Sequence, residues 1–446
     1  MIPLLRQKAA DYIRDFFYLN KFNDYSVILN ELDSKLDRRF ISNLILGVFK
    51  EYLLLRYHIR RYLDYKKPLP PFIESNLIVG GYQLFFMDKT PSYSIINETV
   101  EIIKRSPDKK FTGLVNAVLR RLERVSGRSP TFLYEGIDLT GPDLISLKYS
   151  HPLWLVNRWI SEFGFENAEE YCRFNQKSYP HFIRANLLKS GTEELRKFLE
   201  DNSVEFKHTD TRGVFLLPGG IQDILNSEFF LSGKCIIQDE SSVIIGRLAA
   251  AEISGDFLDL CSAPGLKTQI IKEEKSGKIT IHANEVDPVR FQEMKDNLIK
   301  WCVNDINLLN LDALEFPEEF LSRFKTVLID APCSNLGVIA AKPDIRWRRT
   351  ENDLHDIAGL QLEILRRGSE LCSDGGIVIY VTCSIEREET EDVIDKFLSA
   401  NKNFFLEEPA SVPAFADCTG KSGFMLRFLP FKIHKTGFFI VKLRKR

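Results

Sequence analysis

The sequence predicts a multidomain protein: an all-α domain first, a small α+β domain second, and an α/β domain with a doubly wound sheet third. Three observations predict this organisation. The chain has 446 residues, enough for about three domains of roughly 150 residues each. Apolar residues recur at helical spacing up to about residue 125, and from about residue 235 short apolar strands alternate with helical segments. We expect domains at residues 1–128, 140–232 and 233–446.

The helical spacing in the first domain is clearest in RFISNLILGVFKEYLLLRYHIRRYL and FTGLVNAVLRRLERV. KKPLPP at 66–71 and SPDKK at 106–110 interrupt it, and SGRSP at 126–130 predicts a linker. In the middle domain HFIRANLL and GVFLLP predict strands, and TEELRKFLEDN between them predicts a helix.

The third domain alternates strands with helices, as doubly wound sheets do. The predicted strands are Asp256–Leu260, Ile279–Ala283, Asn307–Leu311, Thr326–Asp330 and Ile377–Thr382. The predicted helices include Pro288–Trp301 and His355–Leu371. Ligands of such sheets bind at the carboxyl ends of the strands.

Composition excludes several classes of protein. With 44% apolar and 27% charged residues, the chain is neither disordered nor fibrous. No apolar run reaches the ~18 residues of a membrane helix, and Arg6, Lys8 and Asp11 interrupt any secretory signal. The eight cysteines include no Cys-x-x-Cys pair, and none of the seven histidines stands at ligand spacing from a cysteine. We therefore expect a cytoplasmic protein without a membrane segment, a disulfide framework or a metal site.

The charge is unevenly distributed. Residues 1–128 carry 22 Lys+Arg against 14 Asp+Glu, whereas residues 129–446 carry 38 against 48. A basic first domain suits a polyanionic partner such as nucleic acid. A solvated charged surface is the equal alternative on charge alone.

One tight turn and three acidic residues indicate a nucleotide-like ligand. The first strand of the third domain runs DFLDL into CSAPGLKT, where Pro264 and Gly265 force a turn whose N–H groups can approach a ligand. The turn matches neither the dinucleotide nor the triphosphate loop pattern. Glu285, with Asp287 as the alternate, follows the second strand, where an acid commonly takes ribose hydroxyls. Asp312 follows the third strand at the same edge of the sheet. Together they predict an adenosine site.

Two cysteines follow core strands. KTVLIDAPCSNLGV places Asp330 and Cys333 after one strand, and GIVIYVTCSIEREE places Cys383 after another. A single free cysteine is most often a buried filler. A pair at two strand ends beside an acid indicates nucleophilic chemistry.

These segments form a recognisable set. DLCSAPGLKT, DAPCSNLGV, KPDIRW and VTCSIEREE, in this order, resemble the RNA (cytosine-5) methyltransferases that use S-adenosylmethionine, and FIRANLL, IIQDESS and TGFFIVKL extend the resemblance. LDRRFISNLILGV, GGYQLFF, INETVEI and GLVNAVLRR resemble a NusB-type RNA-binding domain. A NusB-like domain joined to this catalytic domain is typical of bacterial 16S ribosomal RNA cytosine-5 methyltransferases of the Sun (RsmB) type.

The resemblance implies a Rossmann-like catalytic domain, an RNA-binding middle domain and a role for each site residue. Cys383 would be the nucleophile that adds to carbon 6 of cytosine, Cys333 would help release the product, and Asp330 would hydrogen-bond or protonate ring nitrogen 3. The turn would hold the methionine end of the cofactor, Glu285 the ribose and Asp312 the adenine amine. The implied cofactor-binding residues are Cys261, Ser262, Ala263, Pro264, Gly265, Leu266, Lys267, Glu285, Asp312 and Asp330. Leu266 stands where the family usually has a second glycine.

The expected function is methylation of carbon 5 of a specific cytidine in 16S rRNA, by a monomer acting on the RNA or on the assembling small subunit. A transfer RNA cytosine-5 methyltransferase is one alternative. A non-catalytic RNA-binding factor for ribosome assembly or antitermination is another. Trp347, between Arg346 and Arg348, would offer a stacking face for a base or, equally, would be a core tryptophan.

Overall fold

The computed structural model describes residues 2–63, 68–126, 133–275, 277, 279–420 and 422–446. They form two compact units, Met1–Gln176 with Arg346–Arg348, and Lys177–Ile345 with Arg349–Arg446. Residues 66–67 of the KKPLPP break and 127–130 of the predicted linker lie outside the described residues. The predicted domain bounds, 1–128, 140–232 and 233–446, stay predictions.

The described part of the first unit is helical, as predicted. Its α-helices are α1 Ile2–Leu19, α2 Ser26–Asn30, α3 Lys35–Arg61, α4 Pro71–Phe86, α5 Ser92–Lys104, α6 Thr112–Ser126, α7 Gly141–Tyr149, α8 Leu153–Phe163 and α9 Phe165–Gln176. Helix α4 is buried on nearly every side and packs against α1, α3, α5 and α6, which explains its apolar sequence. Among the described residues, no helix combines the length and apolarity needed to cross a membrane.

The KPDIRW segment contributes core residues to the first unit. The Arg346 side chain is fully buried and donates hydrogen bonds to the backbone carbonyls of Tyr149, Ser150 and Asn175 at 3.0–3.2 Å. Trp347 packs on the helical core, and its Nε1 donates to the Phe49 carbonyl at 2.8 Å. These contacts favour a core tryptophan over a stacking face for a base, because the indole also lies in T-shaped contact with aromatic rings of α1 and α3.

The second unit holds two sheets. The short helix α16 Ile345–Arg348 begins in this unit, but its last three residues belong to the first unit. The other elements of the second unit are β1 His181–Ala185, α10 Thr192–Asp201, β2 Lys207–His208, β3 Val214–Leu217, α11 Gln222–Leu225, α12 Glu228–Leu231, β4 Cys235–Ile237, α13 Glu240–Glu252, β5 Phe257–Asp259, α14 Leu266–Lys275, β6 Ile281–Asn284, α15 Pro288–Lys300, β7 Asn307–Leu309, β8 Phe324–Asp330, α17 Glu351–Leu371, β9 Cys372–Thr382, α18 Glu391–Ala400, β10 Phe404–Leu406, β11 Asp417–Thr419, β12 Met425–Phe428, α19 Pro430–Ile433 and β13 Phe438–Lys445.

The larger sheet has nine strands in the order β11-β12-β13-β9-β8-β5-β6-β7, with β10 paired to β13. Strands β5 to β9 are mutually parallel, and β13 adds antiparallel to β9. All five predicted strands are present. Because β5 lies between β6 and β8, the strand order reverses there, and such a switch point opens a crevice at the carboxyl ends of the strands.

Helices cover both faces of this sheet. Along β8, Val327 and Ile329 pack in the core that holds residues of α17 and α18, while Leu328 packs in the core that holds residues of α13 and α14. Successive side chains of a strand point to opposite faces, so a continuous apolar run is what a sheet buried on both faces requires. The prediction of an α/β domain is confirmed.

The smaller sheet has the strand order β2-β3-β1-β4. The FIRANLL segment contributes to its strand β1, and the IIQDESS segment contributes to its strand β4. Arg184 of β1 is fully buried and donates to Gln238 at 2.7 Å and to Glu273 of α14 at 3.1 Å. A buried guanidinium needs such partners to offset its desolvation. The network fastens the small sheet to the helix that follows the predicted cofactor turn.

Candidate active site

The two predicted catalytic cysteines lie side by side. Strands β8 and β9 are adjacent and parallel, with Asp330 opposite Val381, so the loops that follow them leave the same edge of the sheet. The Sγ atoms of Cys333 and Cys383 are 3.0 Å apart. Fifty residues of sequence separate the two thiols, and the strand pairing brings them together.

The backbones of the two cysteine loops are in close contact. The Gly337 N–H donates to the Cys383 carbonyl at 3.0 Å, and a Cβ on Gly337 would meet that oxygen at 2.6 Å, so a larger residue does not fit. Asn335 adopts φ +64°, a left-handed conformation that asparagine tolerates better than most residues. Its Oδ1 accepts a hydrogen bond from the Cys383 thiol at 2.9 Å.

The thiols shift each other's pKa. The hydrogen-bond contact with Cys383 lowers the pKa of Cys333, against the opposing effect of burial. The same contact, with burial and the charge of Asp330, raises the pKa of Cys383, whereas the charge of Lys267 acts to lower it. The contact between the thiols therefore acts in opposite directions, lowering the pKa of Cys333 and raising that of Cys383.

Asp330 forms an ion pair with Lys267, the last residue of the turn Cys261–Lys267. The Lys267 Nζ lies 2.5 Å from Asp330 Oδ2. Burial alone would lower the pKa of Lys267, but the charge and hydrogen bond of Asp330 outweigh it, and the pKa is raised. The site therefore holds a protonated ammonium against the carboxylate.

The predicted turn follows β5. Gly265 adopts φ +94°, which favours glycine, and its N–H donates to the Ser262 carbonyl at 2.8 Å. The residues Ser262, Ala263, Gly265 and Lys267 are buried, Cys261 and Leu266 are half-buried, and Pro264 is exposed. Leu266 begins α14, and its side chain packs against a core cluster that includes Ile236 and Met294. A core contact thus accounts for the leucine.

The structure separates the two candidate acids after β6. Glu285 is buried, whereas Asp287 is exposed and caps α15 by accepting from the N–H groups of Val289 and Arg290 at 2.9 Å. Such a cap satisfies otherwise unpaired N–H groups of the first turn. Asp312, after β7, accepts from the Leu314 N–H in the same way.

Sequence reasoning missed the residues that support the turn. Arg290 donates to the Ala263 carbonyl at 3.0 Å, and Asn297 to the Pro264 carbonyl at 3.3 Å. Asn284 at the end of β6 donates to the carbonyls of Leu260 and Leu311. The sequence could have indicated Asn284, because it is a polar residue at the end of an otherwise apolar strand. It could not have indicated Arg290 and Asn297, because they lie among the other polar residues of α15.

The doubly wound sheet with its switch point is a Rossmann-like fold, and comparison with known proteins places it among the methyltransferases. The family model described as 16S rRNA methyltransferase RsmB/F matches residues 248–444. Models of the NusB family and of the RsmF/B-like ferredoxin-like domain match residues 5–124 and 151–218.

Individual proteins and structures similar to this chain are also methyltransferases by name. The chain is 30% identical to the probable ribosomal RNA small subunit methyltransferase B of Bacillus subtilis, over 94% of this chain and 92% of that one. It is 31% identical to the ribosomal RNA small subunit methyltransferase B of Pasteurella multocida, over 92% and 88%. A methyltransferase homolog protein from Pyrococcus horikoshii superposes with a TM-score of 0.59 at 28% identity, covering 69% of this chain and all of that one. The chain belongs to the RsmB/F family of 16S rRNA methyltransferases, and its cofactor is S-adenosylmethionine.

The residues around the turn fit this cofactor. Asp259, the last residue of β5, is buried, and its Oδ1 has no hydrogen-bond partner among the described residues. Burial raises the pKa of Asp259 to about 7, and a cationic partner would stabilise its charged form. The acidic side chains at the ends of β5, β6 and β7 thus present acceptors to a ligand rich in hydroxyl and amine donors.

Proposed function

We propose that the protein methylates carbon 5 of a specific cytidine in 16S rRNA through a covalent cysteine–cytosine intermediate. The observation that carries the proposal is the contact of 3.0 Å between Cys333 and Cys383 at the ends of adjacent parallel strands. A covalent cycle has two steps, addition of a thiolate to the base and its later elimination. Two neighbouring thiols beside an acid and an ammonium can share these steps, whereas an isolated buried thiol cannot.

The reaction explains why a nucleophile is needed. Carbon 5 of cytosine is a poor nucleophile. When the Cys383 thiolate forms a bond to carbon 6, the ring becomes an enamine whose carbon 5 can attack an electrophile. When bound, S-adenosylmethionine would supply that electrophile as a methyl group on a sulfonium and would leave as the neutral thioether. A base then takes the carbon 5 proton, its electron pair re-forms the double bond between carbons 5 and 6, and the Cys383 sulfur leaves carbon 6 as a thiolate; this elimination is the step assigned to Cys333.

Access favours Cys383 as the nucleophile. Cys383 is half-buried, whereas Cys333 is only 9% exposed, and an attacking sulfur must reach the base. The pKa directions favour Cys333 as the first thiolate while the thiols are in contact. The Cys383 thiol must therefore be deprotonated before its sulfur can attack the base. Removing Cys333 also removes the largest cause that raises the pKa of Cys383.

Asp330 and Lys267 act as a pair on the developing charge. Addition of the thiolate moves electron density onto ring nitrogen 3, which then needs a proton or a hydrogen-bond donor. We assign this contact to Asp330, with the Lys267 ammonium 2.5 Å away as the source of the proton. The charge of Lys267 also opposes the rise in the pKa of Cys383 that its contact with Cys333 and its burial cause.

The residues proposed to bind the cofactor also lie at the carboxyl ends of the strands. We assign the methionine end to the turn Cys261–Lys267, the ribose to Glu285 and the adenine amine to Asp312. Burial of Glu285 and the commitment of Asp287 to helix capping support Glu285 over Asp287.

The RNA substrate is proposed from the relatives. Those of Bacillus subtilis and Pasteurella multocida are named for the small ribosomal subunit, and the first unit matches the NusB family. The basic balance of residues 1–128 suits an RNA partner. We propose a cytoplasmic monomer that acts on 16S rRNA or on the assembling small subunit. Transfer RNA is the alternative substrate, and mapping methylated cytosines in total RNA with and without this gene separates the two.

The test substitutes the cysteines one at a time. With Cys383→Ala no sulfur adds to carbon 6, so we expect no methyl transfer from labelled S-adenosylmethionine. With Cys333→Ala addition and methylation proceed but elimination is slow, so enzyme accumulates bound to methylated RNA. That adduct survives denaturing electrophoresis as a slower band, and the double variant does not form it.

Cys418→Ala, an exposed cysteine outside the site, is the matched control and should behave as the native enzyme. An adduct with Cys383→Ala instead would reverse the two roles. No adduct with either variant, while methylation persists, would reject the covalent mechanism. No methyl transfer by the native enzyme to any RNA would favour a non-catalytic RNA-binding factor.

A further inference from the structure

One buried carboxylate contacts both cysteine loops. Glu389 lies in the short 3-10 helix Arg387–Glu389, shortly after β9, and its side chain is fully buried. It belongs to the VTCSIEREE segment and is not among the residues proposed for catalysis or cofactor binding. Its two oxygens face the residues that directly follow the two cysteines, Ser334 and Ser384.

The contacts to the two loops are direct. Oε1 accepts from the Ser384 hydroxyl at 2.7 Å and from the Ser334 hydroxyl. Oε2 accepts from the Ser334 backbone N–H at 2.8 Å. The two serine hydroxyls are themselves 3.3 Å apart. A single side chain therefore binds the residue next to Cys333 and the residue next to Cys383.

A third element completes the arrangement. Gln361 of α17 donates to Glu389 Oε2 at 3.1 Å and to the Pro332 carbonyl at 2.9 Å. A buried carboxylate is costly unless donors surround it, and here four donors from three segments do so. Each serine also holds its own loop, because Ser334 Oγ accepts from the Leu336 N–H and Ser384 Oγ from the Glu386 N–H.

We propose that Glu389 is a positioning residue that holds the two cysteine loops in register for the covalent cycle. It acts on the nucleophile through Ser384 and on product release through Ser334. The proposal rests on the proposed function, since it needs Cys383 and Cys333 to act in successive steps. A buried acid used only for stability would have no reason to affect those steps differently.

The first experiment measures kcat and KM of Glu389→Gln. The amide keeps the size of the side chain but turns one acceptor oxygen into a donor, which faces groups that already donate. Displacing a reacting group by about 1 Å can cost up to about 100-fold in rate, so we expect kcat to fall about 10- to 100-fold. KM for S-adenosylmethionine should stay within about twofold of the native value, because its proposed residues, Asp330 apart, follow β5, β6 and β7. Glu363→Gln, the same change at an exposed position of α17, is the matched control.

The second experiment separates the two loops. In the Cys333→Ala background, Ser384→Ala should slow formation of the RNA adduct about tenfold or more. In the otherwise native enzyme, Ser334→Ala should slow release, so that adduct accumulates as it does with Cys333→Ala. A purely structural role lowers the thermal midpoint in both serine variants and leaves adduct kinetics per folded molecule unchanged.

The outcomes are distinguishable. The positioning role would be overturned if folded Glu389→Gln kept the native kcat and the native adduct kinetics. It would also be overturned if the two serine variants affected adduct formation and release equally. Either result would leave the covalent mechanism intact. Absence of adduct in Cys333→Ala alone would overturn the mechanism, and this inference with it.

Discussion

Glu285→Ala should weaken S-adenosylmethionine binding without disturbing the fold around it. The side chain is 4% exposed, its Oε1 accepts from the Asp287 N–H at 3.1 Å, and its Oε2 lies 3.4 Å from Arg290. The Arg290 side chain is 56% exposed, so loss of that ion pair costs little. The main loss is the acceptor for the ribose hydroxyls. A lost hydrogen bond to a charged group costs about 1.5–3 kcal/mol, which corresponds to a rise in Kd of roughly 10- to 150-fold.

Isothermal titration calorimetry with S-adenosylmethionine measures this change directly. Asp287→Ser is the matched control, because serine retains the cap of α15 and the variant should bind like the native protein. Thermal unfolding without cofactor should change little in either variant. Unchanged affinity of Glu285→Ala would refute the ribose assignment, and weakened binding by Asp287→Ser alone would move that contact to Asp287.

Three further predictions concern RNA, packing and pH. Lys109 and Lys110 are exposed on the first unit. If both contact single-stranded phosphates, the double variant Lys109→Gln, Lys110→Gln should reduce the slope of log RNA affinity against log salt concentration by about 1.4. An unchanged slope would place the RNA elsewhere. Trp347→Ala should lower the unfolding free energy of the first unit by about 3 kcal/mol in urea titrations, and unchanged stability would contradict its core packing. The pKa of Asp259 is raised from 3.8 to about 7, so the folded state prefers the protonated acid and loses up to about 4 kcal/mol as pH rises through that window. Asp259→Asn should flatten that loss in urea unfolding without cofactor, and a parallel pH profile would contradict it.

Most of the fold was predictable because its signals are local. The five central strands are short apolar runs bounded by polar residues, and the first unit shows helical spacing throughout. The candidate site was predictable for a related reason. Parallel strands end at one edge of a sheet, so the residues after them, Asp330, Cys333 and Cys383 among them, had to lie near one another once the sheet was inferred.

The sequence by itself determined the kinds of element, the family resemblance and the candidate residues at the strand ends. Only the tertiary structure decided that β8 lies beside β9 with its cysteines 3.0 Å apart, that Trp347 belongs to the helical core, and that Glu389 joins the two cysteine loops. These features depend on contacts between segments 28 to 298 residues apart. Periodicity reports which face of an element is buried. It does not report which distant partner buries that face, because the partner is selected by packing and by the need of each buried polar group for a hydrogen bond.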